Sequence, residues 1–183
     1  MYQIGTYIVY GNCGVCRVAD IGPRSFSGSD DSRLYYTLEP VFDTGAIYIP
    51  VDTNAFMRPT LDREEAERLI DRIPSIPGGT VDAQNVHLLA EYYQASFRSH
   101  ECTELVHLIK TIHERGSHAE RFGKKPSSID QRYLKRAEEL LHGELSVALG
   151  IPREEVADYI RQRLEPQQHK STASSYTVKR TEA

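Results

Sequence analysis

Tryptophan is absent from the 183 residues, methionine occurs twice and cysteine three times. Cys13, Cys16 and Cys102 are too few and too unevenly placed for a disulfide framework, so a reducing, cytoplasmic setting is expected. No uninterrupted apolar run of about 18 residues occurs, which excludes a helical membrane span. No basic stretch followed by an apolar one opens the sequence, so a secretory signal is not expected. An excess of positive charge is also missing: 22 Lys and Arg stand against 26 Asp and Glu, a net charge of −4. The sum therefore does not announce a nucleic-acid binder, and the distribution of charge matters more.

Catalytic signatures are absent too. The stretch Pro77-Gly78-Gly79-Thr80 lacks the lysine and following helix of a phosphate loop, and no serine nucleophile elbow exists. His113 and His118 flank Gly116 and stand five apart, so they cannot share the helical face that a metalloprotease helix requires. Cys13-Gly-Val-Cys16 falls on an expected β-turn, whereas a redox pair needs a helix N-terminus to lower the thiol pKa. A zinc site would need two further ligands. Cys102 falls on an apolar helix face and reads as core. No enzyme, cofactor or metal is expected; the alternative is a small zinc or thiol protein using Cys13 and Cys16.

What is present begins with residues 1–59. Short segments rich in Ile, Val and Tyr, at 6–10, 15–21, 34–40 and 46–51, suit a half-buried pleated surface. Gly11-Asn12, Gly14 and Asp43-Thr44-Gly45 punctuate them where the backbone reverses. Alternation puts Val15, Ala19 and Ile21 on one face of the second strand and Cys16 and Val18 on the other. In the fourth strand Ile47 and Ile49 point inward, while Ala46 and Tyr48 point out. A polar loop at 23–32 should be exposed, and a short fifth strand near 56–58 closes the set. The expected unit is a small antiparallel Tudor- or SH3-like β barrel.

From residue 60 the period becomes helical, and 60–165 reads as a compact bundle of about five helices, an α+β two-domain chain in all. Asp62-x-x-Glu65 is a capping box opening a helix over 62–72. Val86, Leu89, Ala90, Tyr93 and Phe97 share the inner face of a helix over 85–99. Cys102, Leu105, Ile109 and Ile112 line another over 102–115, with Glu101 as its cap and Gly116 opening a polar connector to 126. Ser128-x-x-Gln131 reads as a second capping box for a helix ending before Gly150. Pro152 with Glu154 and Glu155 starts the last helix. The polar tail 166–183 lacks periodicity and is expected to be disordered.

The ordered set Ile4-Gly5, Ile8-Val9-Tyr10, Gly14-Val15-Cys16-Arg17-Val18, Tyr35-Tyr36-Thr37-Leu38 and Ile49-Pro50 resembles the RNA-polymerase-interacting domain of the CarD/CdnL/TRCF family. Gly11 replaces the usual Pro, and Cys16 the second Gly. In the helical half, Ser99-His100-Glu101 falls where the family reads Ser-Gly-Asp, and Gly143-Glu144-Leu145 is the best single match. The resemblance implies binding to the β subunit of bacterial RNA polymerase through the barrel. It also implies contact of the helical part with promoter DNA at the edge of the melted bubble, modulating open-complex stability. The polymerase site carried over is Arg24, Ile47 and Tyr48, the last standing where some members have a basic residue. The family tryptophan that wedges at the minor groove aligns with Val86, and the basic residues after it with Leu88, Leu89 and Glu91.

Basic residues nevertheless concentrate in 110–136, a usable phosphate footprint. With Val86, the DNA-contacting set is Lys110, Arg121, Lys124, Lys125 and Arg132. The expected protein is a non-enzymatic CarD-like regulator, monomer favoured, with polymerase and promoter DNA as partners and no membrane. The rival is a polymerase- or protein-binding adaptor without DNA contact.

Overall fold

The computed structural model describes residues 1–24, 33–81, 85–125 and 127–165. The expected loop at 23–32 falls mostly outside these residues, and the tail 166–183 wholly so. The N-terminal part is one antiparallel sheet of β1 (Tyr7–Tyr10), β2 (Gly14–Pro23), β3 (Leu34–Pro40), β4 (Ile47–Pro50) and β5 (Met57–Pro59). The order β4-β3-β2-β1-β5 is a meander whose last strand returns beside the first. Ile8, Cys16, Val18, Tyr36, Leu38 and Ile49 form its own buried core. Tyr2 packs against it, its amide donating to the Tyr36 hydroxyl and its own hydroxyl to the Met57 carbonyl.

Strict alternation fails in β2. The register runs from Val18 opposite Leu38 to Asp20 opposite Thr37, leaving Ala19 as an extra residue in a β-bulge. Val15 and Ile21 therefore lie on opposite faces, not on a shared one: Ile21 joins the barrel core, while Val15, opposite Val9, is buried outside it. Ile47 and Ile49 do pack inward and Tyr48 points out.

The helical part comprises α1 (Arg63–Arg72), α2 (Val86–Arg98), α3 (Cys102–Arg121), α4 (Ser128–Leu149) and α5 (Val156–Leu164) around a second core. The capping box at Asp62 and Glu65 forms in both directions. Asn85 caps α2 by accepting from the His87 and Leu88 amides.

Several expectations about the helices are corrected. Helix α3 does not stop at Gly116 but runs five residues further, to Arg121. A mid-helix glycine costs only about 1 kcal/mol, and Arg115, the residue before it, is tied to Asp130 of α4. The glycine that ends the helix is Gly123, in the left-handed region at φ 69°. Its amide bonds to the Glu120 carbonyl and the Lys124 amide to that of Ala119, a Schellman closure. Second, the cap of α4 is Ser127, not Ser128, and its side chain makes no capping bond, so the Ser128–Gln131 box does not form. Asp130 instead turns inward and accepts the Tyr93 hydroxyl at 2.7 Å. Third, Val86 is not on the inner face of α2; it is 60% exposed. Glu101 stands at the cap position of α3 but makes no side-chain capping bond.

The two parts are joined closely. The outward face of β1 and β2 at Val9 and Val15 faces Phe97, Leu105 and Leu140 of the helices. Phe42, after β3, lies against Gly143, where a Cβ would come within 3.2 Å of its ring. Phe56 stacks on His100 with ring centroids 4.1 Å apart, and Arg136 donates to the Asn12 carbonyl.

Candidate functional site

The outward face of the sheet divides in two. One end is covered by the helices. At the other, β2, β3 and β4 present Asp20, Thr37 and Tyr48 as successive cross-strand neighbours. Arg24, just beyond β2, lies across them. Its guanidinium donates to the Thr37 hydroxyl at 2.9 Å and to the Asp20 carboxylate at 3.2 Å, and sits 5.1 Å from the centre of the Tyr48 ring. The bulge at Ala19 makes this possible, because without it Asp20 would face the core. Tyr48 stays 44% exposed. Strand β4 pairs only with β3 among the described residues, so it is an edge of the sheet. An aromatic ring, a guanidinium and a strand edge on one face suit a protein partner that adds a strand.

Of the three barrel residues expected at this site, the structure brings Arg24 and Tyr48 together. The Ile47 side chain packs against the barrel core, so Ile47 can offer a partner only its place on the edge strand. Thr37, the link between Arg24 and the sheet, was missed; its cross-strand position opposite Tyr48 was the available signal.

On the helical part, Val86, Phe122, Lys124 and Lys125 line one groove of about 680 Å³ between the start of α2 and the end of α3. Val86 at 60% and Phe122 at 68% exposure supply its apolar surface. Arg121 is exposed in the last turn of α3. Arg132 lies elsewhere, over the Tyr133 ring in a separate groove with Arg98, Lys135 and Arg136. Lys110 is put to another use. Its ammonium donates to the Ile73 carbonyl at 2.6 Å and to that of Ile76, holding the end of α1 against α3.

The cysteines do not converge on a reactive centre. Cys13 is exposed in the turn after β1, while Cys16 is buried in the barrel core and burial pushes its thiol up to about 12. Burial raises the Cys102 thiol as well, and the adjacent Glu144 carboxylate adds to it. Among the described residues no cluster of three or more His, Cys, Asp or Glu side chains is placed to hold a metal. No helix among them is long and apolar enough to cross a membrane.

Residues 2–61 match the family model of the CarD-like/TRCF RID domain. The match spans the whole five-stranded sheet and supports a transcription-related role in binding RNA polymerase. No curated protein matches the chain.

Proposed function

We propose that this chain is a non-enzymatic, CarD-like regulator of transcription that docks on the β subunit of bacterial RNA polymerase. The face of Arg24, Thr37 and Tyr48 and the edge of β4 make the contact. What carries the reading is the coincidence of the matched residues with the part of the fold that holds this cluster. In this reading the helical part meets promoter DNA at the Val86, Phe122, Lys124 and Lys125 groove and modulates open-complex stability. Exposed aliphatic and aromatic side chains can wedge at a base step in place of tryptophan, and two neighbouring lysines supply phosphate contacts. The protein would act in the cytoplasm, on polymerase at the nucleoid.

A second reading, an adaptor without DNA contact, is favoured by one observation: Lys110, the first residue of the basic cluster, spends its charge on backbone carbonyls. Titration of the full chain against the isolated β-subunit lobe of a bacterial polymerase tests the common core of both. A Kd in the micromolar range or tighter is expected; no binding by a folded chain overturns it. Added footprint on promoter DNA then separates regulator from adaptor.

A further inference from the structure

Glu144 is 3% exposed, yet it carries a carboxylate into the seam between barrel and helices. Its partners come from three different segments. Oε1 accepts the Leu61 amide at 3.0 Å, from the connection between β5 and α1. Oε2 accepts Arg58 Nη2 of β5 at 2.8 Å and the Cys102 thiol of α3 at 3.1 Å. Arg58 Nη1 completes a two-pronged pair with Oε1. Arg58 in turn donates to the His100 carbonyl through both Nε and Nη2, at 3.1 and 2.8 Å. Burial works against the Arg58 charge, but Glu144 outweighs it and holds the guanidinium more basic than usual.

A buried ion pair is weak evidence of net stability, because desolvation consumes much of its Coulomb energy. A hydrophobic seam would join the two parts as firmly, and Val9, Val15, Leu140 and Phe42 already provide one. What a two-pronged, fully partnered carboxylate adds is direction: it accepts these donors in one geometry only. A small rotation between the parts would strand two opposite charges out of water.

We infer that Glu144, through Arg58, is a positioning residue that holds the Arg24–Tyr48 face and the Val86–Lys125 groove at one fixed angle. This rests on the reading of those faces as polymerase and DNA contacts. Two contacts held rigidly act as one bidentate ligand, whereas a loose joint loses effective concentration at the second contact.

The test uses the full chain with Cys13→Ser and spin labels at the exposed positions Asn54→Cys and Gln162→Cys. It compares the native pair with Arg58→Met combined with Glu144→Gln, which leaves no uncompensated buried charge. The native protein should give one narrow distance distribution and the variant a broad one. Polymerase affinity should stay within about twofold while the lifetime of the promoter complex falls about tenfold, as expected when only the linkage of two contacts is lost. If the double variant does not fold, Arg58→Lys, which keeps the charge but loses the fork, is read by the same criteria. A narrow distribution in a folded variant overturns the inference, and so does a broad one with an unchanged promoter lifetime. Failure of the native chain to bind polymerase overturns the functional reading instead, and the distance measurement still decides whether Glu144 and Arg58 fix the angle.

Discussion

Arg24 and Tyr48 are brought together from the far end of β2 and the edge strand β4, with the guanidinium 5.1 Å from the ring centre. Thr37 stands between them and fixes the guanidinium by a hydrogen bond. An aromatic ring and an arginine held on a sheet edge are typical anchors of a protein interface. Arg24→Glu should lower affinity for the polymerase β subunit by about tenfold or more, a loss of about 1.4 kcal/mol or greater. Tyr48→Ala should do the same with the fold intact. Calorimetric titration checks both; native affinity in the two variants would remove this face from the interface.

The groove at the α2–α3 end makes a separate prediction. Replacing Lys124 and Lys125 together by Gln should weaken promoter binding. It should also flatten the dependence of log K on log salt by about 2 units, one phosphate contact each. An unchanged slope would favour the adaptor. Lys110→Gln should instead lower thermal stability with little effect on the slope, because its ammonium serves the carbonyls at the end of α1.

His100 stands at φ 55°, where a side chain is strained. Its ring stacks on Phe56 and its carbonyl receives Arg58. Both His100→Ala and His100→Gly lose the stack, but only glycine relieves the backbone. The glycine variant should therefore be the more stable of the two by about 1 kcal/mol, measurable by urea denaturation.

Two glycines of the helices should respond oppositely to alanine. At Gly116 an added Cβ meets nothing within 4 Å, so the substitution should raise stability by up to about 1 kcal/mol. At Gly143 it would press on the Phe42 ring at 3.2 Å, and the variant should lose stability by about 1–3 kcal/mol through overpacking.

Thiol labelling offers a direct check on the cysteines. In the native chain at pH 8, iodoacetamide should modify Cys13 alone, since Cys16 is buried with its thiol raised to about 12 and Cys102 is buried against Glu144. All three should react in denaturant. Rapid native reaction at Cys16 would revive the reading of Cys13 and Cys16 as a working pair.

Much of the fold was legible because the periods are local. Tyr and Ile alternation marked β4, and Asp62 with Glu65 marked the start of α1. What misled were features that depend on distant partners. Gly116 looks like a helix end, but Arg115 beside it is held by Asp130 of α4, and only the conformation of Gly123 shows where the chain turns. Val86 has the right spacing for a core position, yet no element among the described residues covers it. Gly143 and Glu144 have roles that only tertiary structure shows: Gly143 admits Phe42, and Glu144 meets Arg58, 86 residues away in sequence. The bonds of Lys110 to the Ile73 and Ile76 carbonyls were not legible, because charge in a sequence does not reveal which carbonyls will claim it.

The bulge in β2 has a consequence for the lengths this strand tolerates. Ala19 has no partner on β3, whereas Val18 and Asp20 oppose the adjacent residues Leu38 and Thr37. A chain shortened by one at position 19 would keep every facing pair down to Pro23 and Leu34. Shortened at Arg17 or Ile21, it would exchange inside for outside along the rest of the strand. Ala19 is thus the strand's spare residue, the one place where a deletion can be absorbed without moving Arg24 off its ring.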